Sequence, residues 1–130
     1  MNTTMLAGII VTHAGLAEAM RAAAAHIAGD VRDFEVVSND GCSTDSLRDL
    51  VRAALERTTG RDTIVFTDMG GGSCATTCQE LLREYPRARL VTGVNLPMLV
   101  DFVLRRGDLS LDAMVARLLQ RGQSSIQELE

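Results

Sequence analysis

The chain has 130 residues, of which 46% are hydrophobic and only 3% aromatic, with a net charge of −4. That is one ordinary domain's length, with enough apolar content for a core that Ala, Val, Leu, Ile and Met must mostly fill. The acidic balance argues against a nucleic-acid face, and no apolar run reaches the roughly 20 residues of a membrane span, so small molecules and other proteins remain as partners.

Residues 1–5 lack the charged and apolar regions of a signal peptide, so the chain is expected to be cytoplasmic. A first strand is expected over 6–11, ending in the run Ile9-Ile10-Val11 before Thr12 and His13. A helix follows, with Leu16, Met20, Ala24 and Ile27 on one face and Gly29 at its end. A second strand is expected over 34–37, then a turn cluster at 38–41. The second helix, 45–57, carries the stripe Leu47, Leu50, Val51, Ala54 and Thr58, with Arg48 and Arg52 off it. Gly60 reads as its stop.

Residues 63–67 are apolar or β-branched throughout, as in a strand covered on both faces. Asp68 ends that strand, and Gly70, Gly71 and Gly72 follow. A third helix is expected from Ser73 to about 85, facing inward with Ala75, Cys78, Leu82 and Tyr85, and stopped by Pro86. A fourth strand is expected over 89–94. Asn95 reads as an N-cap, with Pro97 in the first turn of a helix over 98–106. Ser110 caps a fifth helix with Leu111, Met114, Val115, Leu118 and Leu119 inward, ended by Gly122. In the tail, Ile126 and Leu129 are the apolar anchors. Strand and helix alternating four times means parallel strands joined by right-handed crossovers. The expected fold class is an α/β sandwich, one domain over 1–130, with four parallel strands and helices on both faces.

Chemistry is expected where strands end and helices begin, because ligands collect there in open α/β sheets. His13 stands at the first such exit. A carboxylate on one ring nitrogen would fix its tautomer and stabilise positive charge, leaving the other nitrogen as a nucleophile. Asp68, at a neighbouring exit, is the best placed acid. The alternative is a histidine that only caps the helix. The glycine run permits positive φ, so successive N–H groups can face one concavity, and Ser73 adds a hydroxyl at a helix start. That is a candidate phosphate cradle; the alternative is a flexible turn. It lacks the Gly-Lys-Ser/Thr of a P-loop and is not a Gly-x-Gly-x-x-Gly fingerprint.

Three cysteines, Cys42, Cys74 and Cys78, are too few and scattered for a disulfide framework. Cys74 and Cys78 share a helix face, the spacing of a metal or redox pair; a metal would need further ligands, for which only Cys42 and the two histidines remain, so they read as small buried residues. At the helix start, the Cys74 pKa could be depressed, which would suit a thiol-dependent enzyme. His26 reads as a boundary residue without a role. Arg105 and Arg106 suit a helix C-terminus. No cofactor and no metal is expected.

Three segments, Ile9-Ile-Val-Thr-His-Ala-Gly-Leu-Ala17, Phe66-Thr-Asp-Met-Gly-Gly-Gly-Ser73 and Gly93-Val-Asn-Leu-Pro-Met-Leu99, resemble the mannose-type enzyme IIA domain of the bacterial phosphoenolpyruvate-dependent sugar phosphotransferase system. The resemblance runs over essentially the whole chain. It implies that His13 takes phosphate from the histidine phosphocarrier protein and passes it to a IIB domain serving a membrane sugar transporter. It implies that Asp68 orients the ring, that Gly71, Gly72 and Ser73 bind the phosphoryl group, and that Thr12, Asn95 and Pro97 support the site. It also implies a homodimer in which residues 125–130 add an antiparallel strand to the partner's sheet, covering an open edge. Membrane contact would come only through the transporter complex. The family's usual proline after Gly-Gly-Ser is Cys74 here. With no IIB domain fused, the alternative reading is a regulatory phosphoprotein or interaction module without its own transporter.

Overall fold

The computed structural model describes residues 5–130. Most of the N-terminal stretch read for targeting, 1–4, lies outside the described residues. Four parallel strands form one sheet in the order β2-β1-β3-β4. They are β1 (Ala7–Thr12), β2 (Glu35–Ser38), β3 (Thr63–Thr67) and β4 (Ala88–Val91). β1 and β3 are buried along their whole length, as befits central strands covered on both faces. The register sets Val11 beside Thr67, so the two central strands leave the sheet side by side.

Five α-helices cover the sheet: α1 (Leu16–Ala28), α2 (Thr44–Arg57), α3 (Ser73–Leu81), α4 (Leu96–Arg105) and α5 (Leu111–Ser124). On one face α1, α4 and α5 pack Ala17, Ala24, Leu99, Phe102, Met114 and Leu118 against Ile10, Ile64 and Phe66. On the other, α2 and α3 pack Leu47, Val51, Leu55, Cys74, Cys78 and Leu81 against Ile9, Val11 and Val65. Each fully buried large side chain contributes about 1.5–3 kcal/mol. All three phenylalanines lie on the first face, where Phe102 meets Phe34 and Phe66 edge-on at 5.6 and 5.3 Å between centroids.

Several inward faces differ from the expected ones. Ala24 is buried as expected, but Leu16 and Ile27 are exposed, and α1 turns Ala17 to the sheet beside Ala24 instead. An alanine-rich helix can approach the sheet on its small residues, and that face is invisible to a pattern scored on large ones. In α2, Leu55 is buried and Leu50 is exposed. Arg48 and Arg52 reach across to Glu80 in α3 and Glu84 just after it, surface pairs that solvent screens. The third helix ends early at Leu81 and tightens into a 3-10 turn, Leu82–Glu84. Tyr85 must leave helical space because Pro86 follows it.

β4 is shorter than expected because Gly93, at φ 73, turns the chain. Gly122 does not end α5. A Cβ there would lie 2.7 Å from Met98 Cε, so glycine permits the close crossing of α4 and α5. Leu119 is exposed. Arg106 is more than a dipole partner. Its buried guanidinium binds both Asp33 oxygens at 3.0 Å and lies 5.1 Å from the Phe34 ring centroid. Burial pushes the Asp33 carboxyl up, but Arg106 and Arg61 outweigh it and hold the pKa below its usual value. Residues 126–130 have no regular structure in the single chain.

Candidate functional site

In the order β2-β1-β3-β4 the chain winds one way from β1 and the other way from β3. The crevice between those two C-terminal ends is the topological switch point, where open parallel sheets bind ligands. His13 follows β1 there, and Asp68 follows β3.

Thr12 is fully buried, and its Oγ1 accepts from Ala17 N at 2.7 Å. That satisfies an orphan donor in the first turn of α1, whose N-cap residue, Gly15, has no side chain to do so. His13 is therefore not the cap. One oxygen, Asp68 Oδ2, accepts from His13 N at 3.1 Å and pairs with His13 Nδ1 at 2.9 Å. The other, Oδ1, accepts from Met69 N at 3.1 Å. Burial pushes the Asp68 carboxyl up, but the bonds and charge from His13 prevail and hold it below its usual range.

An ionised carboxylate can only accept. In the neutral ring the hydrogen-bond network therefore assigns the proton to Nδ1 and leaves the lone pair on Nε2. That nitrogen lies 3.3 Å from where a Cβ on Gly72 would sit, and the ring Cε1 lies 2.8 Å from the same point. Gly72 is the N-cap residue of α3, and the first helical bond is Thr76 N to Gly72 O. The N–H groups of Ser73, Cys74 and Ala75 precede it, at the end of the helix that favours an anion. The ring nitrogen left without a proton and the anion-favouring end of α3 are thus neighbours.

The glycine run works differently from the concavity expected of it. None of Gly70, Gly71 and Gly72 has positive φ; Gly72 sits at φ −96, ψ 173. What Gly72 contributes is the missing Cβ, which leaves room for the imidazole. We expect Gly72→Ala to displace the ring and weaken its bond to Asp68 while the chain stays folded. The imidazole NMR shifts should move and the melting temperature change little; unmoved shifts would show that the glycine is not needed for ring placement.

Strained backbone appears instead at Ala14, with φ 50, a conformation costly for a residue with a Cβ. Ser38 Oγ donates to Ala14 O at 2.6 Å, and Asn39 Oδ1 accepts from Ala14 N at 3.2 Å. Asn39 N also donates to Thr12 O at 3.1 Å. The loop after β2 thus clamps the turn that carries His13. In sequence Ser38 and Asn39 read as turn residues only; a clamp between segments 24 residues apart leaves no local signal. Thr67 Oγ1, just before Asp68, is buried without a hydrogen-bond partner.

Asn95 and Pro97 are not brought to His13 by any described contact. Asn95 caps α4 through Met98 N and donates to Gly122 O at 3.1 Å, tying α4 to α5. Their segment touches the site indirectly, where Val94 N donates to Thr67 O at 3.0 Å. His26 is exposed on the last turn of α1. All three cysteines are free. Cys74 is fully buried under the site, and burial and the Asp68 charge raise its pKa. The helix start does not leave it depressed, contrary to expectation, because burial and the Asp68 charge outweigh the lowering by the Ser73 side chain. Cys78 is pushed up to about 12 by burial.

Set against known proteins, residues 7–119 match the model of the family described as PTS system fructose IIA component. The PTS system sorbose-specific EIIA component of Lacticaseibacillus casei is 29% identical over 115 residues, 86% of this chain and 82% of that protein. The mannose/sorbose specific IIA subunit of the phosphotransferase system from Enterococcus faecalis superposes with a TM-score of 0.87 at 26% identity, covering 97% of this chain and 96% of its own. The phosphotransferase system component EIIA from Streptococcus agalactiae gives 0.82 at 26% identity, covering 95% and 97%.

Proposed function

We infer a phosphoryl carrier from a premise that the family match establishes: this chain belongs to the PTS system fructose IIA component family. A role in a sugar phosphotransferase system follows from that membership. The finer assignment is our reading: His13 accepts the phosphoryl group from the histidine phosphocarrier protein and hands it to a IIB domain. The observation that carries it is the double grip of Asp68 Oδ2 on the backbone and ring of His13.

In the forward step, His13 Nε2 attacks the phosphorus of the phosphorylated donor. The new Nε2–P bond forms as the donor's N–P bond breaks, and the donor nitrogen recovers its lone pair. The His13 ring becomes positive, with its proton still on Nδ1, and the Asp68 carboxylate balances that charge. Handing the group to a IIB nucleophile reverses these changes. Such transfer depends on positioning and electrostatics, with little covalent work for the protein. Ser73, with the backbone of Gly71 and Gly72, is the proposed cradle for the phosphoryl oxygens. No cofactor enters the scheme.

The His13 side chain is 41% exposed, as a group must be if another protein's side chain is to reach it. Leu16 at the start of α1 and Met69 in the loop after β3, both exposed, offer apolar contact to such a partner. Incubation with the phosphorylated phosphocarrier should place an acid-labile, base-stable phosphate on the chain. A chain that binds the phosphocarrier but acquires no phosphate would instead be an interaction module. No helix among the described residues is long and apolar enough to cross a membrane, so membrane contact is proposed only through the transporter complex, on its cytoplasmic side.

A homodimer is part of the same reading. Ile126 and Leu129 are 81% and 84% exposed, and β4 is an edge strand. Pairing of the tail with a partner's sheet would cover both liabilities. Truncation after Ser124 should then convert a dimer to a monomer in sedimentation. A truncated chain that sediments like the full one would remove the swapped strand from the proposal.

A further inference from the structure

His13, Asp68 and Cys74 come from three different segments, yet each offers one ligand atom within 4.8 Å of the others. We propose that these three side chains bind a thiophilic divalent cation of the zinc class, and that the bound ion and a phosphoryl group exclude each other at His13. The ion site stands on geometry alone; its consequence for transfer rests on the phosphoryl-carrier reading.

The donor set is one imidazole nitrogen, one carboxylate oxygen and one sulfur. Zinc binds all three types at about 2.0–2.3 Å and accepts three protein ligands with water in a fourth position. Around a tetrahedral ion of that radius the donors lie roughly 3.3–3.6 Å apart. Closing the widest separation, 4.8 Å at most, requires up to about 1.2–1.5 Å of movement, which a partly exposed imidazole can supply by rotation. The route in is over that ring: the sulfur is fully buried, but the His13 side chain above it is 41% exposed. A hard cation would gain little from a set containing sulfur. Gly72 matters again, because the missing Cβ lets the ring lie over the first turn of α3, where Cys74 sits.

Binding forms a metal–sulfur bond to the thiolate, and the thiol proton leaves to solvent. Burial and the Asp68 charge oppose the bare thiolate, and a divalent cation placed between the two offsets both. Exclusion then follows from imidazole chemistry. A neutral ring has one lone pair in the ring plane. If the ion takes it at Nε2, the nucleophile is covered. If the ion takes it at Nδ1, the ring proton must move to Nε2, which then has no lone pair to attack with. A phosphorylated His13 is blocked in the same way against the ion.

The test is calorimetric titration of the reduced full chain with Zn²⁺ alone. One ion should bind per chain. Cys74→Ser and His13→Ala should each weaken it at least tenfold, and Cys42→Ser should leave it unchanged. Co²⁺ in place of Zn²⁺ should give a thiolate charge-transfer band that Cys74→Ser abolishes. Cys74→Ala, with circular dichroism of every variant, guards against loss of fold. Absence of stoichiometric binding, or binding unaltered in both Cys74 variants, overturns the site. In the second arm, Zn²⁺ should block phosphate labelling of the wild-type chain, while labelling of Cys74→Ser, whatever its rate, should no longer respond. A chain that binds zinc but never takes phosphate keeps the site and loses the carrier reading. A chain that takes phosphate but binds no zinc does the reverse.

Discussion

Replacing His13 with alanine is expected to abolish phosphate labelling by the phosphorylated phosphocarrier, to below detection. The reason is specific to one atom. Asp68 holds the proton on Nδ1, so Nε2 is the free nucleophile, next to the anion-favouring start of α3. Alanine removes that atom and leaves the scaffold in place, since the side chain is 41% exposed and outside both cores. Circular dichroism should therefore match the wild type while labelling is lost. The discriminating control is His26→Ala, which should label at the normal rate because that residue is exposed on the last turn of α1. Full labelling of His13→Ala would place the acceptor elsewhere and end the assignment.

Asp68→Asn should slow labelling by roughly 10²- to 10⁴-fold, the scale seen when the aspartate of an Asp–His pair loses its charge. The amide cannot balance the positive phosphohistidine ring. Because Oδ2 accepts from both the His13 backbone and ring, an amide oxygen at that position keeps both bonds, so the fold should persist and the lost charge should appear in the rate. An amide N–H turned to that position instead would give up the backbone bond and drive the ring proton to Nε2, removing the nucleophile. A rate near wild type would reduce Asp68 to a structural role. The acid limit follows from its titration. Its folded pKa lies below the ordinary 3.8. A depressed carboxyl contributes its stabilisation fully above the unfolded value and loses it as the pH falls through the folded one. The support of the ring is therefore complete at neutral pH and should fail only below about 3.8.

The zinc-class site turns on the residue at which this chain departs from the resemblance. The usual proline after Gly-Gly-Ser could bind nothing; Cys74 puts a sulfur beneath the histidine. That neighbourhood was not legible in the chain order. Chain order pairs Cys74 with Cys78, four residues on, on one helix face. The contacts that matter cross from α3 to the loops after β1 and β3, 61 and 6 residues away in sequence. The clamp on Ala14 by Ser38 and Asn39 was hidden for the same reason.

Strong local patterns determined a good deal by themselves. The β-branched run at 63–67, the capping residues Ser110 and Asn95, and the alternation of strands with helices were enough for the element order and the parallel α/β class. They were also enough to put His13 and Asp68 at strand ends, because those features depend on neighbours within a few residues. Tertiary structure alone decided that Ala17, and not Leu16 or Ile27, joins Ala24 against the sheet, why Gly72 must lack a Cβ, why α5 runs through Gly122, and that Cys74 is desolvated beside an acid. Each of those is a matter of how closely two distant segments approach, and no local propensity encodes a distance between segments.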